Sequence, residues 1–224
     1  MLDSDRELID EFRESHLSVL ETVQGNLSAV LHQEIGLDEE RFPITSRLKT
    51  PQAIVAKLKR SSTALSRMQD IAGARIVLPV PEPPATPLIA QAATLPLIVD
   101  ALPLGAEVVD IKDDQTEEPD QWGYRAIHVI GRIGTWYYGE PGSPGWPAWH
   151  YFEVQLRTAA QDRWAQVVER VDAAFGWDLK HGVGPADWLE WLHMLSDEFL
   201  KADRGEPFVI PPMPIDAERD EPQP

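Results

Sequence analysis

Three cations near residue 50 stand at a spacing that could enclose a polyphosphate. Arg47 and Lys49 precede a predicted helix, and Lys57 lies on the second turn of that helix. A loop ending in Arg and Lys, followed by a helix carrying Lys, can close around a triphosphate, and Arg can also stack on a purine ring. The alternative is an ordinary basic helix start, because solvated cations are common on helix faces.

Asp70 stands immediately before a predicted strand, in the segment QDIAGARIV. Gly73 and the alanines beside it would let a ligand approach the backbone closely, and a carboxylate in this position suits a Mg²⁺ ligand. An aspartate in a turn is the alternative interpretation, because Asp is frequent in turns.

A third group of polar residues alternates along the segment YFEVQLRT. Glu153, Gln155 and Arg157 are two residues apart, so they project from one face of a strand while the apolar residues between them face the core. Burying such a polar face is costly unless it lines a site. The segment GYRAIH adds Tyr124 and His128 on one strand face, where an exposed aromatic ring beside a histidine could stack on a base. A half-solvated antiparallel sheet is the alternative for both segments.

The hydrophobic pattern predicts the elements that position these residues. Helices are expected over 4–35 (with a possible break at Gly25), 50–65, 88–102, 158–175 and 186–202. Strands are expected over 73–80, 106–112, 123–133 and 148–157, with a polar loop over 113–122. Helices and strands mixed in one run predict a single α/β domain around a mixed sheet. We divide the chain into an N-terminal helical region (1–40), the main domain (41–203) and a disordered acidic, proline-rich tail (204–224).

Composition excludes several classes of function. The chain has 37 acidic and 20 basic residues, giving a net charge of −17, so we expect no duplex DNA partner and no anionic membrane partner. It has no cysteine, which excludes disulfides and thiolate chemistry. Residues 41–80 are the exception in charge, with eight bases and one acid, and such a block can attract a small polyanion. The chain opens without a basic apolar leader and has no spanning segment, so we expect a cytoplasmic protein.

Five segments, taken in order, resemble the RelA/SpoT-type alarmone synthetase domain, across roughly residues 40–180. They are RLKTPQAIVAKLKR, MQDIAGARIV, GYRAIH, FEVQLRT and QDRWAQVVER. The family patterns are R-x-K-x-x-x-S-I-x-x-K, D-I-x-G-x-R, G-Y-x-S-x-H, E-V-Q-I-R-T and D-x-W-A-x-x-x-E. Five linked motifs in order are far more specific than any single one.

The resemblance implies a nucleotidyltransferase-like α/β fold, with a mixed β-sheet flanked by helices. It implies a small stand-alone synthetase, without hydrolase activity, that transfers the β,γ-diphosphate of ATP to the 3′-hydroxyl of GDP or GTP. By matching position it assigns ATP binding to Arg47, Lys49, Lys57 and Arg75. It assigns Mg²⁺ to Asp70 and Glu153, with Glu153 also drawing the proton from the 3′-hydroxyl. Acceptor binding falls to Tyr124, His128, Gln155 and Arg157.

The chain departs from the family where the acceptor's 5′-phosphates would be bound. Segment 113–120 is acidic, and no base lies between Lys112 and Arg125. Ala53 and Ala126 replace the serines of two motifs. These departures keep a second hypothesis open, a toxin that transfers the same group to the 3′ end of tRNA and is held by an antitoxin. A third is a nucleotide-binding module without turnover, and a homo-oligomer is also open.

Overall fold

The computed structural model describes residues 3–36, 44–61, 63–113, 116–137 and 146–214. The helices are α1 (Asp3–Glu14), α2 (Leu17–Ile35), α3 (Pro51–Arg60), α4 (Pro87–Asp100), α5 (Ala159–Phe175) and α6 (Ala186–Asp203). The strands are β1 (Ile44–Leu48), β2 (Ala72–Leu78), β3 (Ala106–Lys112), β4 (Ile127–Tyr137) and β5 (Trp146–Thr158). Two short 3₁₀ turns lie at Leu65–Arg67 and Leu179–His181.

The strands form one five-stranded mixed sheet in the order β1-β2-β5-β4-β3. Strands β2 and β5 are parallel, and the other neighbouring pairs are antiparallel. Helices α2 and α4 cover the apolar face, where Leu27, Ile76, Ile98 and Val154 are fully buried. The α/β fold class with a mixed sheet flanked by helices is therefore confirmed.

Threonine side chains begin three of the helices. The Thr50 hydroxyl accepts a hydrogen bond from the Ala53 amide at the start of α3, and Thr86 does the same for Ile89 in α4. Thr158 and Gln161 form a reciprocal capping box at the start of α5. Such caps satisfy amides that a helix leaves unbonded at its N-terminus, so they fix where each helix begins relative to the strand before it.

Several predicted boundaries are wrong, and side-chain hydrogen bonds explain them. The N-terminal helix breaks at residues 15–16, because the side chains of Ser15 and His16 both contact the Phe12 carbonyl oxygen, at 2.7 and 2.8 Å. Gly25 lies inside α2. Helix α3 ends before Ser61, whose hydroxyl donates to the Lys57 carbonyl at 2.7 Å.

The fourth strand begins at Ile127, four residues later than predicted. The Asp120 carboxylate accepts hydrogen bonds from the amides of Trp122 and Tyr124, both at 2.9 Å, and holds this segment as a turn. In the described part of the chain, no helix combines the length and the apolar character needed to cross a membrane. The expectation of a disordered tail falls partly on 215–224, which lie outside the described residues.

Candidate active site

The register of three adjacent strands brings Arg47, Arg75, Glu153 and Gln155 onto one face of the sheet. Arg47 on β1 pairs with Gly73 on β2, which pairs with Glu153 on β5. One row further along, Arg75 pairs with Gln155 on β5. These residues lie on the face opposite the apolar core, because side chains alternate along a strand.

A polar cavity of about 250 Å³ opens on this face. Six of the predicted site residues line it, namely Arg47, Lys49, Asp70, Arg75, Glu153 and Gln155. Glu169 of α5 and Lys180 of the second 3₁₀ turn complete its charged wall. The floor contains Gly73, where the absence of a side chain leaves the space open. The cavity therefore joins cations and carboxylates from two separate stretches of the chain, 45–75 and 153–180.

One part of the site is built on a single carboxylate oxygen. Asp70 Oδ2 accepts from Lys49 Nζ at 2.9 Å and from Lys57 Nζ at 2.8 Å. We call Arg47, Lys49, Lys57 and Asp70 the cationic half. Burial works to raise the pKa of Asp70, but the hydrogen bonds from Lys57 and Lys49 outweigh it and hold this pKa below its usual value. The carboxylate is therefore ionised at neutral pH.

The other oxygen of Asp70 is unsatisfied. Asp70 Oδ1 is buried and accepts no hydrogen bond from any described residue. A buried carboxylate oxygen without a partner is costly, and a bound cation would satisfy it. No group of three or more His, Asp or Glu side chains suited to a metal occurs among the described residues. Mg²⁺ is commonly held by one or two carboxylates together with substrate phosphates, so Asp70 and Glu153 fit this ion.

The second part of the site is a closed circuit of five side chains. The Tyr124 hydroxyl contacts His128 Nε2 at 3.0 Å and Arg157 at 3.1 Å. His128 Nδ1 contacts Glu153 Oε1 at 2.7 Å. Gln155 donates to Glu153 Oε2 at 2.7 Å and accepts from Arg157 at 2.9 Å. We call these five residues the hydrogen-bonded ring.

The directions of these hydrogen bonds converge on Glu153. Burial works to raise the pKa of Glu153, but the hydrogen bond from His128 and the contact with Gln155 lower it below its usual value. The ionised carboxylate can only accept, so His128 Nδ1 carries the proton in its contact with Glu153. Arg157 can only donate, and it donates to both of its neighbours in the hydrogen-bonded ring, Tyr124 and Gln155. Asp162 fixes Arg157 in turn, at 3.1 Å.

Tyr124 differs from its prediction in exposure. The ring is only 4% exposed, so the prediction of an exposed aromatic shelf is wrong. It lies in the turn before β4, packs edge-on against Trp164, and is covered by the Lys180 ammonium 4.6 Å from its centroid. Burial raises the pKa of its hydroxyl, which stays protonated. The Lys180 ammonium therefore covers the aromatic ring of Tyr124 in this structure.

The acidic segment before Tyr124 does not line the cavity in its described part. Asp120 is occupied by the backbone of its own turn. Glu117 forms an ion pair with Arg204 at 3.0 Å. Asp114 lies outside the described residues. Asp120 and Glu117 therefore have structural partners away from the cavity.

Comparison with known proteins gives a family match for most of the described sheet and its helices. The family model described as the region found in RelA and SpoT proteins matches residues 46–172, which contain all ten predicted site residues. An uncharacterized protein of Mycobacterium tuberculosis is 30% identical over 164 residues, covering 69% of this chain and 51% of the relative. The chain thus spans about half the length of the curated relatives it matches.

Two solved structures share the fold. One is small alarmone synthetase 1 from Bacillus subtilis bound to its product pppGpp, with a TM-score of 0.64 at 21% identity, covering 87% of this chain and 94% of that one. The other is a GTP pyrophosphokinase family protein from Streptococcus pneumoniae, with a TM-score of 0.64 at 16% identity and 92% coverage of both chains. At these identities the likeness shows the fold.

Proposed function

The chain belongs to the RelA/SpoT family, and from that membership we propose that it is a pyrophosphokinase acting on nucleotides. It transfers the β,γ-diphosphate of ATP to the 3′-hydroxyl of GDP or GTP, forming the alarmone and releasing AMP. The observation that carries this proposal is the meeting of Asp70 and Glu153 at one cavity, each ionised and each held by a different set of partners.

The cationic half supports the ATP site. Lys49 and Lys57 both present ammonium groups at Asp70, and Arg47 and Arg75 line the same cavity. A triphosphate entering here would meet several cations beside the buried, unsatisfied Asp70 oxygen. Diphosphate transfer depends on positioning and charge neutralisation more than on covalent catalysis, so this clustering is what the reaction needs.

The hydrogen-bonded ring supports the acceptor site. In the proposed reaction the 3′ oxygen bonds to the β-phosphorus of ATP, and the bond from that phosphorus to the α,β-bridging oxygen breaks. Glu153, aimed into the cavity by His128 and Gln155, takes the proton of the attacking hydroxyl. A divalent ion held by Asp70 and Glu153 would neutralise phosphate charge. AMP leaves with the electron pair on its phosphate oxygen.

The proposal is tested by following the transferred group. The protein is incubated with Mg²⁺ and γ-labelled ATP, together with GDP, GTP or bulk tRNA in separate reactions. We expect label on GDP and GTP, with one AMP formed for each labelled product, and none with Glu153→Gln. Label on tRNA alone would establish the toxin hypothesis instead. Nucleotide binding without any transfer in all three reactions would establish a binding module.

A further inference from the structure

Lys180 lies in the cavity although it belongs to none of the five motifs. It stands on the 3₁₀ turn Leu179–His181, between α5 and α6. It lines the same cavity as Arg47, Lys49 and Glu153. Within the described residues Lys180 makes no ion pair with a carboxylate, whereas Lys49 and Lys57 each have one. This cation is therefore available to an incoming anion.

The turn that carries Lys180 is held firmly. Leu179 is fully buried, and its amide donates to Asp172 Oδ1 at 2.9 Å. Asp178 and Val183 exchange two backbone hydrogen bonds, at 2.9 and 3.0 Å, which close the turn at both ends. The backbone position of Lys180 is thus fixed by the fold.

The ammonium of Lys180 rests on the ring of Tyr124, 4.6 Å from the ring centroid. A cation on an aromatic face is a weak contact, so it is easily exchanged for a stronger one. Burial lowers the pKa of the Lys180 ammonium and Arg157 lowers it further, whereas Glu153 and Glu169 act to raise it. A phosphate would bind Lys180 more strongly than the ring does, because it carries full charge.

The segment that precedes Tyr124 offers no cation of its own to an acceptor. No base occurs from 113 to 124. Arg125, which follows, is buried in an ion pair with Asp203 at 2.8 Å and is only 2% exposed. A nucleoside diphosphate whose base approaches Tyr124 therefore needs positive charge from another element.

We propose that Lys180 binds the 5′-phosphates of the acceptor nucleotide. In this arrangement the Lys180 ammonium moves from the Tyr124 ring to the phosphates, and the acceptor base stacks on the ring where the ammonium was. This inference rests on the proposed function, since it assigns a residue to the acceptor of that same site. It also assigns Lys180 to the acceptor and not to ATP, because Lys180 lies on Tyr124 while the cationic half gathers around Asp70.

Equilibrium binding tests this without turnover. Titration calorimetry would measure the affinities of GDP, guanosine and a non-hydrolysable ATP analogue for wild type, Lys180→Met and Lys180→Arg. Lys59→Met, at an exposed position of α3, is the control for the loss of one positive charge. Loss of one charge-assisted contact should weaken GDP binding to Lys180→Met about tenfold or more. Guanosine should bind equally well or better, the ATP analogue should change less than twofold, and Lys180→Arg should recover most of the GDP affinity.

Other results would overturn the assignment. Unchanged or tighter GDP binding in Lys180→Met would make the lysine only a cover for the ring, and an equal loss for the ATP analogue would make it a donor residue. A wild type that binds no GDP would also refute it. A wild type that binds GDP with the expected variant pattern but yields no product would refute the proposed transfer and leave Lys180 as a phosphate ligand. Thermal melts of each variant check the fold.

Discussion

The cationic half and the hydrogen-bonded ring bring a carboxylate to the same cavity in different ways. Asp70 is held by two lysines on one oxygen and has a second, buried oxygen with no described partner. Glu153 has both oxygens bonded within a closed circuit. The first arrangement leaves a position to be filled by a ligand, whereas the second fixes direction before any ligand arrives. The difference indicates that one half is built for charge and the other for geometry.

Removing either carboxylate should have the largest effect. We expect Asp70→Asn and Glu153→Gln each to lower kcat by about a thousandfold or more, because each removes a charged ligand of the proposed metal. Both folds should survive, which thermal melts would check. Asp110→Asn, an exposed residue of β3, is the matched control and should keep full activity. A folded Asp70→Asn or Glu153→Gln variant with near-normal turnover would refute the two-carboxylate site.

Sequence alone was sufficient for features with local causes. The alternation in 152–157 placed Glu153, Gln155 and Arg157 on one face, because the period of a strand is a local property. The helix predicted to begin at residue 50 begins in the structure at Pro51, with Thr50 as its cap. Both features owe their positions to neighbours in the chain.

Features with distant causes were missed. Tyr124 is buried because Trp164, Arg157 and Lys180, all distant in sequence, pack around it. Lys180 lies on a turn without hydrophobic periodicity, so no pattern identified it. The carboxylate of Asp120 looked like part of an acidic patch, but its hydrogen bonds to nearby amides form the turn. An aspartate three residues before a glycine, here Asp120 and Gly123, is the local signal that could have indicated this turn.

The second prediction separates the two halves by substrate. We expect Lys49→Ala and Lys57→Ala each to raise the KM for ATP about tenfold or more while the KM for GDP changes less, because a charge-assisted contact contributes about 1.5–3 kcal/mol. Steady-state kinetics with each substrate varied in turn would measure this. Lys59→Ala, on the exposed face of the same helix, is the control. A selective rise in the KM for GDP would reverse the assignment of the halves.

The third prediction breaks the hydrogen-bonded ring and keeps the aromatic group of residue 124. Tyr124→Phe takes away the hydroxyl that joins Arg157 to His128. We expect kcat to fall about 5- to 30-fold, corresponding to about 1–2 kcal/mol, with little change in either KM, because the loss is one of orientation. Single-turnover measurements at saturating substrates would isolate this step. If the KM for GDP alone rises, Tyr124 contributes to binding through its hydroxyl and the ring does not orient Glu153.

The smallest effect is expected at Gly73, the floor residue between Arg47 of one half and Glu153 of the other. A methyl group there would meet only the Arg47 carbonyl oxygen, at 3.8 Å, so Gly73→Ala should fold with an unchanged or slightly raised Tm. The methyl projects into the cavity, where it would crowd the bound substrates. A cost of about 1 kcal/mol in transition-state binding would lower kcat/KM about fivefold.

Gly131→Ala provides the opposite case, because its methyl would overlap the buried ring of Phe152 on the far side of the sheet. That variant should lose about 1–3 kcal/mol of stability, while the molecules that remain folded keep their kcat/KM. Urea unfolding and initial rates on the same preparations would give both quantities. If Gly73→Ala left kcat/KM at the wild-type value, no substrate would lie over Gly73. The cationic half and the hydrogen-bonded ring would then act on separate ligands.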